Sequence, residues 1–255
     1  MKSAIATSVY NWTRGIRFYI AITTLVITGD IYWYISSVYG NASFAAIRLQ
    51  ETYAWLSLAL IIVALAIGPV TKLLPLLPGK SILRDARRMV GISAAWFASA
   101  HVFISFFNQF HAANPLTLPV PYQQAFAVGS LALVILLALA MTSFDGAFRR
   151  LGPWWFRLHR LIYLAVLLIL FHAFSIGVHA VMWTYLLPLS MAIAGLFAIH
   201  FYLSFGPGRE PTTLQSVGLC YGLLITIAVL AYGYTQHLGF SKVTGSSSAG
   251  QYEVR

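Results

Sequence analysis

The chain has 255 residues, 59% of them hydrophobic and only 9% charged, with a formal net charge of +10. At a mean hydropathy of +0.78, so few charges cannot cover the surface of a soluble domain, and the composition reads as an all-α integral membrane protein. The single cysteine, Cys220, excludes an intrachain disulfide and an iron–sulfur centre.

A spanning helix needs roughly 20 mainly apolar residues. On that criterion the sequence predicts a bundle of about seven transmembrane helices, near 16–38, 52–74, 88–110, 122–142, 157–178, 181–205 and 214–236. The first follows Lys2, Arg14 and Arg17, but it is too long for a secretory leader, and too aromatic at Tyr32, Trp33 and Tyr34. The fifth and sixth are parted only around Gly177, and the Ser/Gly-rich stretch after Thr244 is expected to be disordered. The chain thus divides into an N-terminal helix and outer loop (1–51), a helical core (52–205), and a seventh helix with an external tail (206–255). The triplet Asn41-Ala42-Ser43 matches a glycosylation pattern, but so short a match arises by chance.

Loop charges give the orientation. An internal N-terminus puts Lys2, Arg14, Arg17, Lys72, Lys80, Arg84, Arg87, Arg88, Arg149, Arg150, Arg157, Arg160 and Arg209 on the cytoplasmic side, leaving only Arg48, Lys242 and Arg255 outside. This bias obeys the positive-inside rule and points to contact with membrane lipid, with no nucleic acid, and to a C-terminus outside. Trp154, Trp155, Tyr122 and Trp183 fall near span ends, where an interfacial aromatic belt is expected.

Two stretches share one design. Arg87 to Phe107 and Arg149 to His172 each run from paired arginines into an apolar helix, and carry His101 and His172. At 1.5 Å per residue, His101 lies ~20 Å beyond Arg88 and His172 ~22 Å beyond Arg157, at one level in the outer half of the membrane. Two neutral imidazoles at matched depth can ligate one b-type haem from opposite faces, whereas each alone would more simply hydrogen-bond a neighbouring helix. His159 lies ~20 Å below His172 along the helix, where a second haem, a flavin, a quinone or mere contact with lipid phosphate all remain open. Arg87 and Arg88 stand where a partner on the third helix would fall, so a second haem needs another ligand, with His200 at a comparable depth. His111 and His179 flank the outer surface, and His237 is interfacial.

Other chemistry is poorly supplied. The six acids are Asp30, Glu51, Asp85, Asp145, Glu210 and Glu253, with only Asp30 near mid-membrane, a thin basis for a proton pump or ion-coupled transporter. No HExxH, P-loop or GxGxxG motif occurs, and the seven spans leave no room for a soluble flavin or nicotinamide domain.

Leu83 to His101 and Thr142 to His172, the latter reading TSFDGAFRRLGPWWFRLHRLIYLAVLLILFH, resemble the ferric-reductase-like transmembrane domain superfamily. The nearest likeness is to the MsrQ/YedZ family, the haem-binding membrane subunits of bacterial periplasmic methionine-sulfoxide reductase systems. The resemblance covers roughly Thr52 to Tyr202. It implies haem-associated roles for His101, His159 and His172, and placement in the bacterial inner membrane. It also implies electron flow from a cytoplasmic flavin reductase or quinol pool to a periplasmic molybdopterin enzyme that reduces oxidised methionine. The chain would then be an electron-transfer subunit of an oxidoreductase. Members of the wider superfamily have four haem-ligating histidines, and this chain lacks the fourth. The seventh span and the Pro-rich loop His111 to Pro121 depart from the family pattern and suit a subunit fastened to a larger complex. The alternative is a structural accessory subunit of a respiratory or photosynthetic complex on the same scaffold.

Overall fold

The computed structural model describes residues 2–40, 42–74, 76, 79–109, 114–176 and 180–205. The expected seventh span, Cys220, Gly177, His111, His179, His237 and the Ser/Gly-rich tail lie outside the described residues.

Among the described residues the regular structure is helical throughout. The α-helices are α1 (Lys2–Val38), α2 (Ala42–Leu73), α3 (Lys80–Ile104), α4 (Val120–Met141), α5 (Asp145–Leu151), α6 (Pro153–His159), α7 (Leu161–Ile176) and α8 (Ala180–Phe205). A π-helical turn, Ser105–Gln109, prolongs α3, and a 3-10 turn, Pro115–Thr117, precedes α4. Five described stretches are long and apolar enough to cross a membrane, at Gly15–Val38, Ala42–Leu73, Lys80–Asn108, Tyr122–Met141 and Pro153–Ser175. The sixth expected span is α8, with a shorter apolar run at Ser190–His200. The protein is therefore an all-α, multi-pass membrane protein. Its many exposed large hydrophobic side chains, such as Trp33 at 71% and Phe103 at 62%, are what a lipid-facing surface requires.

Three helices start well before the residues hydropathy indicated, α1 at Lys2 rather than 16. Helix α2 begins at Ala42 rather than 52, and α3 at Lys80 rather than 88. Apolar runs mark the hydrocarbon layer, whereas helix propagation continues into polar residues that are good helix formers. The early turns of α2 hold an i,i+3 pair between Arg48 and Glu51 at 3.1 Å. The basic Trp-rich stretch is also more regular than a loop. It forms α5 and α6, joined at Gly152, whose φ of 50° favours a residue without Cβ, and Pro153 then starts α6 with its fixed φ. A turn at Arg160 separates α6 from α7, so His159 and His172 stand on successive helices rather than on one.

The chain forms two compact units. The first comprises Met1–Asn114 and Leu133–Ile162. In it α3 packs against both α1 and α2 around a core of Ile35, Leu49, Tyr53 and Phe97. Hydroxyl bonds pin these helices together where hydrophobic burial gives little preference over lipid. Thr24 and Ser93 hydroxyls lie 2.7 Å apart, Ser57 donates to the Ala94 carbonyl at 2.9 Å, and Tyr53 donates to the Thr28 carbonyl at 2.9 Å. The second unit comprises Pro115–Ala132 and Tyr163–Arg255, with Ala165, Val166, Ile193 and Ser190 among its buried side chains.

Candidate functional site

His101, on α3 in the first unit, has its Nδ1 3.0 Å from the backbone oxygen of Gln50 on α2. A carbonyl oxygen can only accept, so Nδ1 carries the proton and Nε2 keeps its lone pair. Helical carbonyls have a second lone pair, which lets Gln50 accept this bond without giving up its helix bond. Gln50 is only 8% exposed, and its side-chain oxygen accepts from Ser105 at 2.5 Å. Ser105 opens the π turn just after His101 and also lies 2.8 Å from the His101 carbonyl. The wider π turn brings the hydroxyl back towards α2, a distortion that recurs at functional positions.

His172, on α7 in the second unit, repeats the arrangement. Its Nδ1 lies 2.8 Å from the Ala125 carbonyl on α4, which again fixes the proton on Nδ1 and the lone pair on Nε2. Gly129, one turn further along α4, makes room for the ring. A Cβ there would come within 2.7 Å of Nδ1 and 2.8 Å of Cε1. Both histidines thus use the preceding long helix as an anchor for Nδ1. An outer-shell carbonyl of this kind sets the tautomer and orientation of a metal-binding imidazole.

His159 differs from both. It closes α6 in the first unit, with Nδ1 3.0 Å from the carbonyl of Trp155 on its own helix. Its ring stacks on the Trp155 indole at a centroid distance of 3.7 Å. Nε2 lies 3.4 Å from the Ser143 hydroxyl, whose shorter bond is to the Leu139 carbonyl at 2.7 Å. The Ser143 contact is therefore weaker than the one to Trp155. The indole itself is fixed by donation to the Thr142 carbonyl at 2.8 Å.

An ionic latch adjoins this stack. Asp145 on α5 accepts from Arg17 on α1 at 2.7 Å and from Arg88 on α3 at 3.0 Å. The Arg88 guanidinium also lies 4.8 Å from the Phe148 ring centroid and 5.3 Å from that of Trp155. The Arg17 hydrogen bond, aided by the charges of Arg17, Arg88 and Arg149, holds the Asp145 carboxyl below its usual range despite partial burial. The latch ties α1, α3, α5 and α6 on the side that loop charges mark as cytoplasmic.

Of the residues singled out from sequence, His101 and His159 fall in the first unit, while His172 and His200 fall in the second. His200 meets the edge of Tyr163 at 5.9 Å. Asp30 is exposed on α1 rather than buried among helices. Among the described residues no three His, Cys, Asp or Glu side chains gather into a metal cluster. Sequence reading did not find Gln50, Ala125 or Gly129. The one available signal was Gly129 as the sole glycine in α4.

Comparison with known proteins locates this arrangement. Residues 53–170 match the model of the ferric reductase like transmembrane component. The chain is 34% identical over 118 residues to the protein-methionine-sulfoxide reductase heme-binding subunit MsrQ of Bordetella pertussis, covering 46% of this chain and 55% of that protein. It is 33% identical over 124 residues to the protein of the same name from Xanthomonas campestris pv. campestris, covering 48% and 55%. With the one from Xanthomonas axonopodis pv. citri the identity is 31% over 163 residues, covering 60% of this chain and 69% of that protein. The chain thus spans about half the length of the Bordetella relative it matches. No solved structure matches it.

Proposed function

Because the chain belongs to the ferric-reductase-like transmembrane family, in its MsrQ branch, we propose that it is a haem-binding membrane subunit that carries electrons across the bilayer. His101 and His172 would hold one b-type haem. The observation that carries this reading is the shared anchoring of the two rings, each with Nδ1 held by a backbone carbonyl of another helix. A bound haem supplies reversible one-electron chemistry, and the chain needs no nucleophile or acid–base pair for it. The backbone carbonyls orient the rings, and the surrounding apolar helices exclude water.

His159 belongs to the proposed entry side, beside a second haem, a flavin or a quinone. Support comes from the Trp155 stack and from the nearby cations Arg149, Arg150 and Arg157, a charge pattern that attracts an anionic flavin or an acidic donor protein. The relatives' name makes methionine-sulfoxide reduction the proposed destination of the electrons, and our reading puts it outside the bacterial inner membrane. With the N-terminus cytoplasmic, the donor is a cytoplasmic flavin or quinol, and the acceptor an extracytoplasmic redox partner.

The test is vectorial transfer in oriented proteoliposomes. Reduced flavin supplied to the face bearing Arg149 and Arg150 should reduce a membrane-impermeant acceptor on the other face. A His101→Ala variant should lose that flux. Equal flux in parent, variant and protein-free vesicles would overturn the electron-carrier reading and leave the structural subunit as the better account.

A further inference from the structure

A second site lies where α2 ends and α3 begins. A cavity of about 410 Å³ is lined by Ile67, Gly68, Thr71 and Lys72 from α2 and by Lys80, Arg84 and Arg87 from α3. Spacings of four and three residues put Lys80, Arg84 and Arg87 on one helix face. The same rule puts Gly68, Thr71 and Lys72 together on α2. Four cations therefore line the cavity from two helices, and no acid is among the described residues that line it. The one acid of α3, Asp85, is engaged with Arg17 of α1 at 3.5 Å. The one acid of α2, Glu51, lies near its other end, with Arg48.

Lys72, Lys80 and Arg84 bring like charge to one opening, which favours an anion there. The lining is also graded, since Ile67 and Gly68 lie deeper along α2 than Lys72, in the direction of the apolar span. An apolar inner wall below a cationic rim matches a phosphate group at the end of an apolar body. Basic pockets between spanning helices on the cytoplasmic side accommodate anionic lipid headgroups.

We propose that Lys72, Lys80 and Arg84 form a phosphate-binding site at the cytoplasmic ends of α2 and α3, filled by the headgroup of an anionic phospholipid. A soluble nucleotide phosphate shares this chemistry, but it would leave the apolar inner wall without a partner. The site is independent of the haem reading.

The full-length protein in nanodiscs of phosphatidylcholine mixed with phosphatidylglycerol tests this, with native mass spectrometry counting retained anionic lipid. A parallel arm titrates flavin mononucleotide into protein held in phosphatidylcholine alone. Lys80→Gln/Arg84→Gln should lower retention of phosphatidylglycerol at least tenfold, while Arg150→Gln/Arg160→Gln, removing the same charge from the same side, should leave it near the parent value. Loss confined to the flavin mononucleotide arm of the first pair would keep the phosphate site and assign it to a soluble ligand. Equal retention in all proteins, or equal loss in both pairs, would overturn the proposal. Lys72→Gln, at an exposed position, repeats the measurement if the first pair does not fold.

Discussion

The imidazole of His172 donates to the carbonyl of Ala125 across 2.8 Å, and its ring occupies space that only a glycine at position 129 leaves free. Contacts of 2.7 and 2.8 Å from a new Cβ cannot be absorbed while the ring keeps that bond. Gly129→Ala should therefore displace His172 and lower bound haem by more than half, with the protein still monodisperse in detergent. Haem per chain, measured as the pyridine haemochrome, checks this; an unchanged haem content would show that the ring has another home.

The inner stack makes a different prediction. His159 contributes through a ring held against Trp155 at 3.7 Å and fixed by its own helix. His159→Ala should retain the haem assigned to His101 and His172 but slow its reduction from the cytoplasmic face at least tenfold. Stopped-flow reduction by a flavin donor separates this from loss of cofactor. Loss of all haem in the variant would contradict the separation of the two sites.

Asp145 gives a pH signature. Its folded carboxyl sits below the ordinary value of 3.8, chiefly through the Arg17 hydrogen bond. A depressed carboxyl stabilises the fold above its unfolded value, and that contribution is lost as pH falls through the lower folded value. Thermal stability of the parent should be flat with respect to this group between about pH 5 and 8 and fall in more acidic buffer. Asp145→Asn should lower stability at neutral pH and flatten the acid limb. Superimposable melting curves for parent and variant from neutral to acid pH would rule out the latch.

The α1–α3 contact can be weighed by a double-mutant cycle. Thr24 and Ser93 hydroxyls are buried and 2.7 Å apart, and such bonds between spanning helices are worth on average about 0.6 kcal/mol. A cycle of Thr24→Ala and Ser93→Ala should give a coupling energy of that order. A coupling indistinguishable from zero would mean each hydroxyl is satisfied by its own helix, through Ile20 or Met89.

Several of these features were readable in the sequence. Paired arginines ahead of an apolar run announced α3 and the approach to α7, and an imidazole inside each run stood out because polar groups are rare there. What holds the imidazoles did not stand out. The partners of His101 and His172 are backbone carbonyls, which every residue carries, so Gln50 and Ala125 leave no chemical signature. Gly129 reads equally well as a helix-packing glycine, and only the position of the facing ring distinguishes the two. Helix limits slipped at Ala42 and Lys80 because hydropathy reports the lipid layer and not the hydrogen-bonded helix. Asp145 appeared in the sequence only as one of six acids; its role depends on Arg17 and Arg88, which lie 128 and 57 residues away.

The most direct measurement is a dithionite-reduced minus oxidised absorption spectrum of the purified protein, with haem counted per chain, for the parent and for His101→Ala, His172→Ala and His159→Ala. The expected result is a b-type spectrum in the parent that is lost with either His101 or His172 and kept without His159. A well-folded parent with no haem, or a spectrum unaffected by both His101→Ala and His172→Ala, would contradict the assignment of these two carbonyl-anchored imidazoles as the ligands.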